Sequence, residues 1–189
     1  MCGELELSWD LYYDTLDILE KHPIKATRNR PNVSGLAYLA QWGRNKNTNK
    51  YDRVGFPAKT QNFGMVYKRF YNSGNPDIKY DNPFQPASNN KKFPQLYNQL
   101  KILINQIDPN FEYNTITVNH NFKCLPHYDK KNKTPSLIVA LGDFTGGELI
   151  VEGCPIDIKW SPLIMNGSVC KHATNDFQGE RYSIIYYKI

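Results

Sequence analysis

The sequence has no apolar run approaching the roughly 18 residues that a membrane-spanning helix needs. It also has no C-x-x-C pair: Cys2, Cys124, Cys154 and Cys170 are scattered. That spacing offers neither a disulfide framework nor a cysteine-rich zinc knuckle, and the thiols are read as reduced. The first residues, Met1-Cys2-Gly3-Glu4-Leu5-Glu6-Leu7, are acidic and lack an apolar core, so no secretory signal is expected and the reading is intracellular, in cytoplasm or nucleus. The glycine that N-myristoylation requires directly after Met1 is absent. There is no internal repeat, no low-complexity tract and no glycine-rich loop closed by Lys-Ser/Thr to cradle a phosphate. Histidine is scarce, with only His22, His120, His127 and His172. Excess charge of one sign is small: a net +5 is compatible with a polyanionic partner without requiring one.

What is present is a globular composition. The 189 residues, 40% hydrophobic and 22% charged, suit one domain with a real core. Leu5, Leu7, Leu11, Leu16 and Leu19 recur near helical spacing, with Ser8 placed as an N-cap and Pro23 as the stop. Residues 37–40 are read as the start of another short element. Residues 42–92 are rich in Lys, Arg, Asn, Gly and Pro, and predict long loops around a few short strands. Phe93, Leu96, Leu100, Leu103, Ile104 and Ile107 predict a second helix over 93–107, ended by Pro109. From Tyr113 onward short strands follow one another: Tyr113–Phe122, Leu137–Leu141, Gly147–Val151, Ile156–Trp160, Leu163–Met165, Ser168–Thr174 and Tyr182–Lys188. This predicts a barrel or double-sheet jelly roll with a helical layer before it, an α+β chain.

Two of the four histidines enter a pattern. His127-Tyr128-Asp129 is an H-x-D pair, and residues two apart on a strand share a face. His172 follows on a later strand, Arg181 lies nine positions beyond it, and Ser183 two further on. Two histidines and one carboxylate leave open metal positions, which suits non-haem Fe(II) with a chelating co-substrate and O₂. Cys170, two residues before His172, keeps a zinc site as the alternative. If the co-substrate is 2-oxoglutarate, its far carboxylate needs a cation, and the Arg181 guanidinium supplies a two-point fork. Ser183 shares its face and adds a hydroxyl.

These residues carry a resemblance. Pro126–Asp129, the run Pro135–Phe144, Gly146-Gly147-Glu148-Leu149, His172 and Arg181-Tyr182-Ser183 resemble the double-stranded β-helix core of the 2-oxoglutarate/Fe(II) dioxygenase superfamily, over roughly the last two-fifths of the chain. The Leu-Gly-Asp-Phe-x-Gly-Gly-Glu-Leu texture is similar to the branch holding the TET/JBP nucleobase oxygenases. Prolyl-hydroxylase-like members share Gly-Gly-Glu-Leu, but usually carry Lys where Arg181 stands. The resemblance implies a single oxygenase domain over 1–189, with 1–112 helical and loop-rich and 113–189 forming the core. It implies His127, Asp129 and His172 as Fe(II) ligands and catalytic residues, Arg181 and Ser183 on 2-oxoglutarate, and ascorbate as reductant. Asn119, sharing a face with Thr117 and Asn121, is read either as a co-substrate contact or as an ordinary strand asparagine.

The implied reaction is C–H hydroxylation, with the methyl group of 5-methylcytosine or thymine in DNA as the first substrate. A protein or peptide side-chain hydroxylase and a non-catalytic metal-binding β-sandwich are the alternatives. Lys130, Lys131 and Lys133 after the metal pair are placed either at a phosphate backbone or in a solvated loop. The basic residues and aromatics of Trp42–Tyr71 are placed either on a flipped base or packed on the barrel. The Gly146-Gly147 pair is also read as a tight turn between Leu137–Leu141 and Glu148–Val151. His120 and His22 are expected to be structural, the latter at a helix C-terminus.

Overall fold

Apolar residues at helical spacing build the two long helices of the computed structural model, which describes residues 8–24, 26–27, 43–44, 51–52, 58–67 and 84–189. Helix α1 (Trp9–Lys21) turns Leu11, Tyr12, Thr15 and Leu19 inward. Ser8 stands at its N-cap in extended conformation, but its hydroxyl makes no capping bond, so the capping expectation fails on the side chain. Helix α2 (Asn89–Lys92) is one turn, and Pro94 then opens helix α3 (Pro94–Ile107) at a position where its missing N–H costs nothing. Leu96, Leu100, Leu103, Ile104 and Ile107 form the buried stripe of α3. Each such side chain contributes up to about 1.5–3 kcal/mol on burial.

Both helices belong to the apolar core on one face of a seven-stranded antiparallel sheet. Its order is β1 (Ala26–Thr27), β4 (Ala58–Tyr67), β6 (Thr115–His120), β14 (Tyr182–Tyr187), β7 (Ser136–Leu141) and β11 (Leu163–Met165), with β5 (Phe84–Pro86) paired to β4. Alternation divides the strands cleanly. Ile116 and Val118 of β6, Leu137, Val139 and Leu141 of β7, and Tyr182, Ile184 and Tyr186 of β14 join the helical core. On the other face, Ile138 and Ala140 join a second cluster with Phe144, Leu149, Ile158 and Met165. Because β7 is covered on both faces it reads as a continuous apolar run rather than an alternating one.

Two smaller ladders complete the second layer: β10 (Cys154–Ile156) with β9 (Leu149–Val151) and β12 (His172–Thr174), and β8 (Phe144–Gly146) with β13 (Phe177–Gly179). A further two-stranded ladder joins β2 (Gly43–Arg44) and β3 (Tyr51–Asp52). Among the described residues, no helix is long and apolar enough to cross a membrane.

The buried Tyr186 hydroxyl donates to the Leu100 carbonyl at 2.7 Å, tying β14 to α3. Removing that donor leaves a buried carbonyl without it. Tyr186→Phe is therefore expected to cost about 1–1.5 kcal/mol in urea unfolding, with the m-value unchanged.

Several expectations are corrected. Residues 58–67 form a ten-residue strand inside the main sheet, not a loop. Apolar counting misses it because polar side chains stand in its middle: Gln61 Oε1 meets His22 Nε2 at 2.8 Å, and Asn62 Oδ1 accepts from the Thr117 hydroxyl at 2.9 Å. Gly146-Gly147 is not a hairpin turn between Leu137–Leu141 and Glu148–Val151. Those segments belong to different ladders, and the pair links β8 to β9. The strand expected over Ser168–Thr174 is only β12, because residues before it turn back on Asn166. The strand expected over Ile156–Trp160 does not form: β10 ends at Ile156, and beyond it Lys159 makes only a lone parallel bridge to Ala140. The readings placed on Leu5, Leu7, residues 37–40 and most of 42–57 and 68–83 lie outside the described residues.

Candidate metal and co-substrate site

The face of the main sheet opposite the helices borders a cavity of about 160 Å³. Thr117 and Asn119 of β6, Ser183, Ile185 and Tyr187 of β14, Leu149 of β9 and Thr174 of β12 supply its walls. Alternation explains the placement: these are the positions one off from the core-facing residues on β6 and β14.

His127, Asp129 and His172 also line it. The H-x-D pair does not sit on a regular strand as expected. It lies on an extended segment joined to β12 by one antiparallel bridge, with His127 N–H donating to the His172 carbonyl at 2.9 Å and the reverse bond at 3.0 Å. Asp129 N–H donates to the Gly167 carbonyl at 2.7 Å. Backbone pairing therefore brings together residues far apart in sequence. One donor atom from each of the three residues lies within 4.8 Å of the others, a spacing that could hold one metal ion. His127 Nε2 is 3.5 Å from Asp129 Oδ1, and His172 Nε2 is 3.4 Å from Asp129 Oδ2.

The second nitrogen of each imidazole is committed. His127 Nδ1 meets the Leu125 carbonyl at 2.7 Å and His172 Nδ1 meets the Cys170 carbonyl at 3.1 Å. A carbonyl only accepts, so each Nδ1 carries a proton, and each Nε2, which faces Asp129, is the nitrogen a metal would take in place of its own proton. Burial alone would raise the Asp129 carboxyl, but hydrogen bonds from both histidines outweigh it and hold the group far below the usual carboxylate range. Burial opposes charge on His127, while the Asp129 hydrogen bond and the Leu125 carbonyl prevail and raise its pKa. Cys170 contributes its carbonyl, not its thiol: the side chain packs against the second apolar cluster, outside the metal-capable group. That removes the sulfur ligand on which the zinc alternative rested.

Gly167 explains how close the elements come. A Cβ there would stand 3.2 Å from His172 Cε1 and 3.3 Å from Asp129 Oδ2. Gly167→Ala is expected to push these groups apart and weaken Fe(II) binding about tenfold, in a ferrous titration, with the global fold retained.

Arg181 lies just before β14 and is 2% exposed. Its guanidinium carbon lies over the rings of Phe144 (5.5 Å) and Phe177 (5.6 Å), which stand edge to face, and Gly147 lies against its stem. A Cβ on Gly147 would meet Arg181 Nε at 2.9 Å. The Nε is buried without a hydrogen-bond partner, and among the described residues the guanidinium forms no ion pair. Burial pushes its pKa down to about 10, partly offset by the neighbouring Cys124 and Glu148. Asn119 Nδ2 donates to Ser183 Oγ at 3.3 Å, and both side chains face the cavity with Arg181. Asn121 does not continue that face. It turns into the left-handed region at φ 49° and accepts the Arg181 N–H on its Oδ1 at 2.8 Å.

No family model matches the chain, and no curated protein matches it. Solved structures do. The structure of OsALKBH1 aligns with 99% of this chain and 95% of its own, at 12% identity and a TM-score of 0.51. NgTET1 in complex with 5mC DNA aligns over 68% of this chain at 15% identity and a TM-score of 0.48. A 2OG-Fe(II) oxygenase family oxidoreductase from Burkholderia pseudomallei aligns over 47% at 20% identity and 0.34. In fold, the chain resembles OsALKBH1. It spans 60% of the NgTET1 chain and 49% of the Burkholderia one.

Within this fold, sequence reasoning missed the aromatic rings beside Arg181. Phe144 was visible in the Asp-Phe-x-Gly-Gly motif, yet nothing in the sequence tied it or Phe177 to the arginine. Cys124, Asn132, Thr174 and Tyr187 were also missed as cavity residues. The His120 ring stacks on Tyr182 at 4.3 Å and its Nε2 meets Glu180 at 2.5 Å. His22 packs on Phe93 at 4.1 Å, away from the cavity. Phe63 of the basic-aromatic segment is in the helical core. Lys131 and Lys133 stand over the Tyr67 and Phe84 rings at 5.6 and 5.7 Å, so they cover the β4–β5 hairpin.

Proposed function

We propose that this chain is an Fe(II)- and 2-oxoglutarate-dependent oxygenase that hydroxylates a C–H bond. The observation that carries the reading is Arg181. It is a buried cation without an ion-pair partner among the described residues, opening on the same cavity as a cluster of two histidines and a carboxylate. A buried charge without a counter-charge is costly, and the cost makes sense when a ligand brings the anion. The cavity volume suits a small dicarboxylate. The facing ladders are read as a double-stranded β-helix over 113–189, with 1–112 as the N-terminal part of the same domain.

His127 and His172 would hold the metal through Nε2 and Asp129 through its carboxylate, leaving positions open as Fe(II) oxygenases need and structural zinc sites do not. When bound, iron and 2-oxoglutarate supply the oxygen activation that places one atom of O₂ in a substrate C–H bond, releasing succinate and CO₂. Arg181 would pair with the far carboxylate of the co-substrate in a two-point fork. Ser183 and Asn119 add neutral hydrogen-bonding groups beside it. Phe122, Ile138, Leu149 and Ile158 line the cavity and limit water there. Ascorbate is the expected reductant.

For the substrate, the reading is a methyl-bearing nucleobase in DNA, 5-methylcytosine or thymine. Its support is the TET/JBP-like motif texture, the basic balance and the exposed Lys130, Lys131 and Lys133 that follow the metal pair. A protein or peptide side chain is the second reading, favoured by the engagement of Lys131 and Lys133 with their own hairpin. The test is mass spectrometry of nucleosides after incubation with Fe(II), ascorbate, 2-oxoglutarate and DNA containing both bases. A base one oxygen heavier, absent with Asp129→Ala, is expected. Succinate formation with no altered base moves the substrate to proteins or peptides.

A further inference from the structure

The cavity holds a nucleophile that the proposed reaction does not use. Cys124 lies on the extended segment leading to His127, where its carbonyl accepts the Thr174 N–H at 3.1 Å. Its side chain, half-buried, lines the cavity together with Arg181. Arg181 is the independent second observation. Its guanidinium lies over two rings, its Nε has no hydrogen-bond partner, and it borders the same space. The Cys124 thiol and the Glu148 carboxylate are its polar neighbours, and the Glu148 carboxylate is engaged by Asn175 Nδ2 at 2.9 Å. A soft nucleophile and an immobile cation thus share one small enclosure. The other described cysteines are placed differently: Cys154 is exposed on β10 and Cys170 packs against apolar side chains.

We propose that Cys124 and Arg181 form a covalent-modification site for small carboxylic acids that carry an electrophilic carbon. The guanidinium holds the carboxylate by a charge-assisted pair, which brings the electrophilic carbon to the sulfur. With a 2-halo acid, the Cys124 sulfur forms a bond to the 2-carbon as the carbon–halogen bond breaks. The halide leaves with that electron pair and the thiol proton passes to water. With an α,β-unsaturated acid, the sulfur bonds to the β-carbon as its proton passes to water, the π pair moves to the α-carbon, and the α-carbon takes a proton back from water. Neither route needs an oxidant or a reductant. The adduct keeps its carboxylate on Arg181 and fills the cavity, so the chain is closed to any other anion that would bind there.

The test requires no turnover, so it stands apart from the oxygenase reading. The purified full chain is treated with iodoacetate or with its neutral counterpart iodoacetamide. Carboxymethylation and carbamidomethylation of Cys124 are timed by peptide mass spectrometry, with a neutral cysteine peptide as reference. The iodoacetate-to-iodoacetamide rate ratio at Cys124 is expected to exceed that of the peptide by about tenfold or more, a modest share of the attraction between unit charges a few ångströms apart. Arg181→Met should bring the ratio down to the peptide's, and Arg181→Lys should keep most of it. In the unmodified protein, the unreactive dicarboxylate glutarate should slow iodoacetate at Cys124 and leave Cys154 unaffected, a measurement that needs no variant. A ratio equal to the peptide's, a ratio indifferent to Arg181→Met, or an absence of glutarate protection overturns the site.

Discussion

Asp129→Ala is expected to abolish iron-dependent conversion of 2-oxoglutarate to succinate and to weaken Fe(II) binding at least ~100-fold, a loss of about 2.7 kcal/mol or more. Asp129 supplies the one anion of the three-residue cluster, and it faces both imidazoles at 3.4–3.5 Å. Without it, two neutral histidines remain with nothing to offset the charge of a divalent ion. The substitution spares the local backbone, because Asp129 is tied to Gly167 through its N–H rather than its side chain. Circular dichroism of the variant should therefore match the parent. Succinate production by Asp129→Ala at the parental rate would remove the metal assignment.

Arg181→Met is expected to act in two opposite directions. The 2-oxoglutarate concentration needed for half-maximal succinate formation should rise about 100-fold, since a charge-assisted fork contributes roughly 1.5–3 kcal/mol. The ligand-free variant should meanwhile be more stable than the parent by roughly 1–3 kcal/mol in urea, because methionine fills the slot between Phe144 and Phe177 without burying a charge. Saturating 2-oxoglutarate should raise the melting temperature of the parent, through its preference for the folded state, and leave Arg181→Met unmoved. An unchanged co-substrate requirement would refute the anchoring role. A variant less stable than the parent would show that Arg181 is held by favourable contacts rather than kept at a cost.

How far the sequence foretold this can be seen in single elements. α3 was legible because its five buried residues recur at helical spacing, and the boundary came within one residue through Phe93 and Pro94. β7 was legible as an apolar run for the reason that both its faces are covered. β4 was not, since polar Thr60, Gln61 and Asn62 stand in its middle, Gln61 and Asn62 held by side-chain hydrogen bonds, and periodicity sees only apolar residues. The meeting of His127, Asp129 and His172 in one cluster was anticipated from residue types and spacing. Its mechanical basis was not: the H-x-D pair is held by a backbone bridge to β12 rather than by strand geometry. Arg181 in the cavity beside Ser183 and Asn119 was anticipated as well. The aromatic faces around it depend on β8 and β13 lying side by side, a pairing of two three-residue strands with no local signature.

The bridge between His127 and His172 sets the ends of an excursion of about 45 residues that contains β7, β8, β9, β10 and β11. Two backbone hydrogen bonds hold those ends, and such bonds open readily on their own. An ion ligated from both ends would be a reversible cross-link across that loop, taking closure entropy out of the unfolded chain much as a disulfide does. Amide exchange within this stretch should then be governed by the residence time of the metal, so that chelation loosens five strands and not merely three side chains.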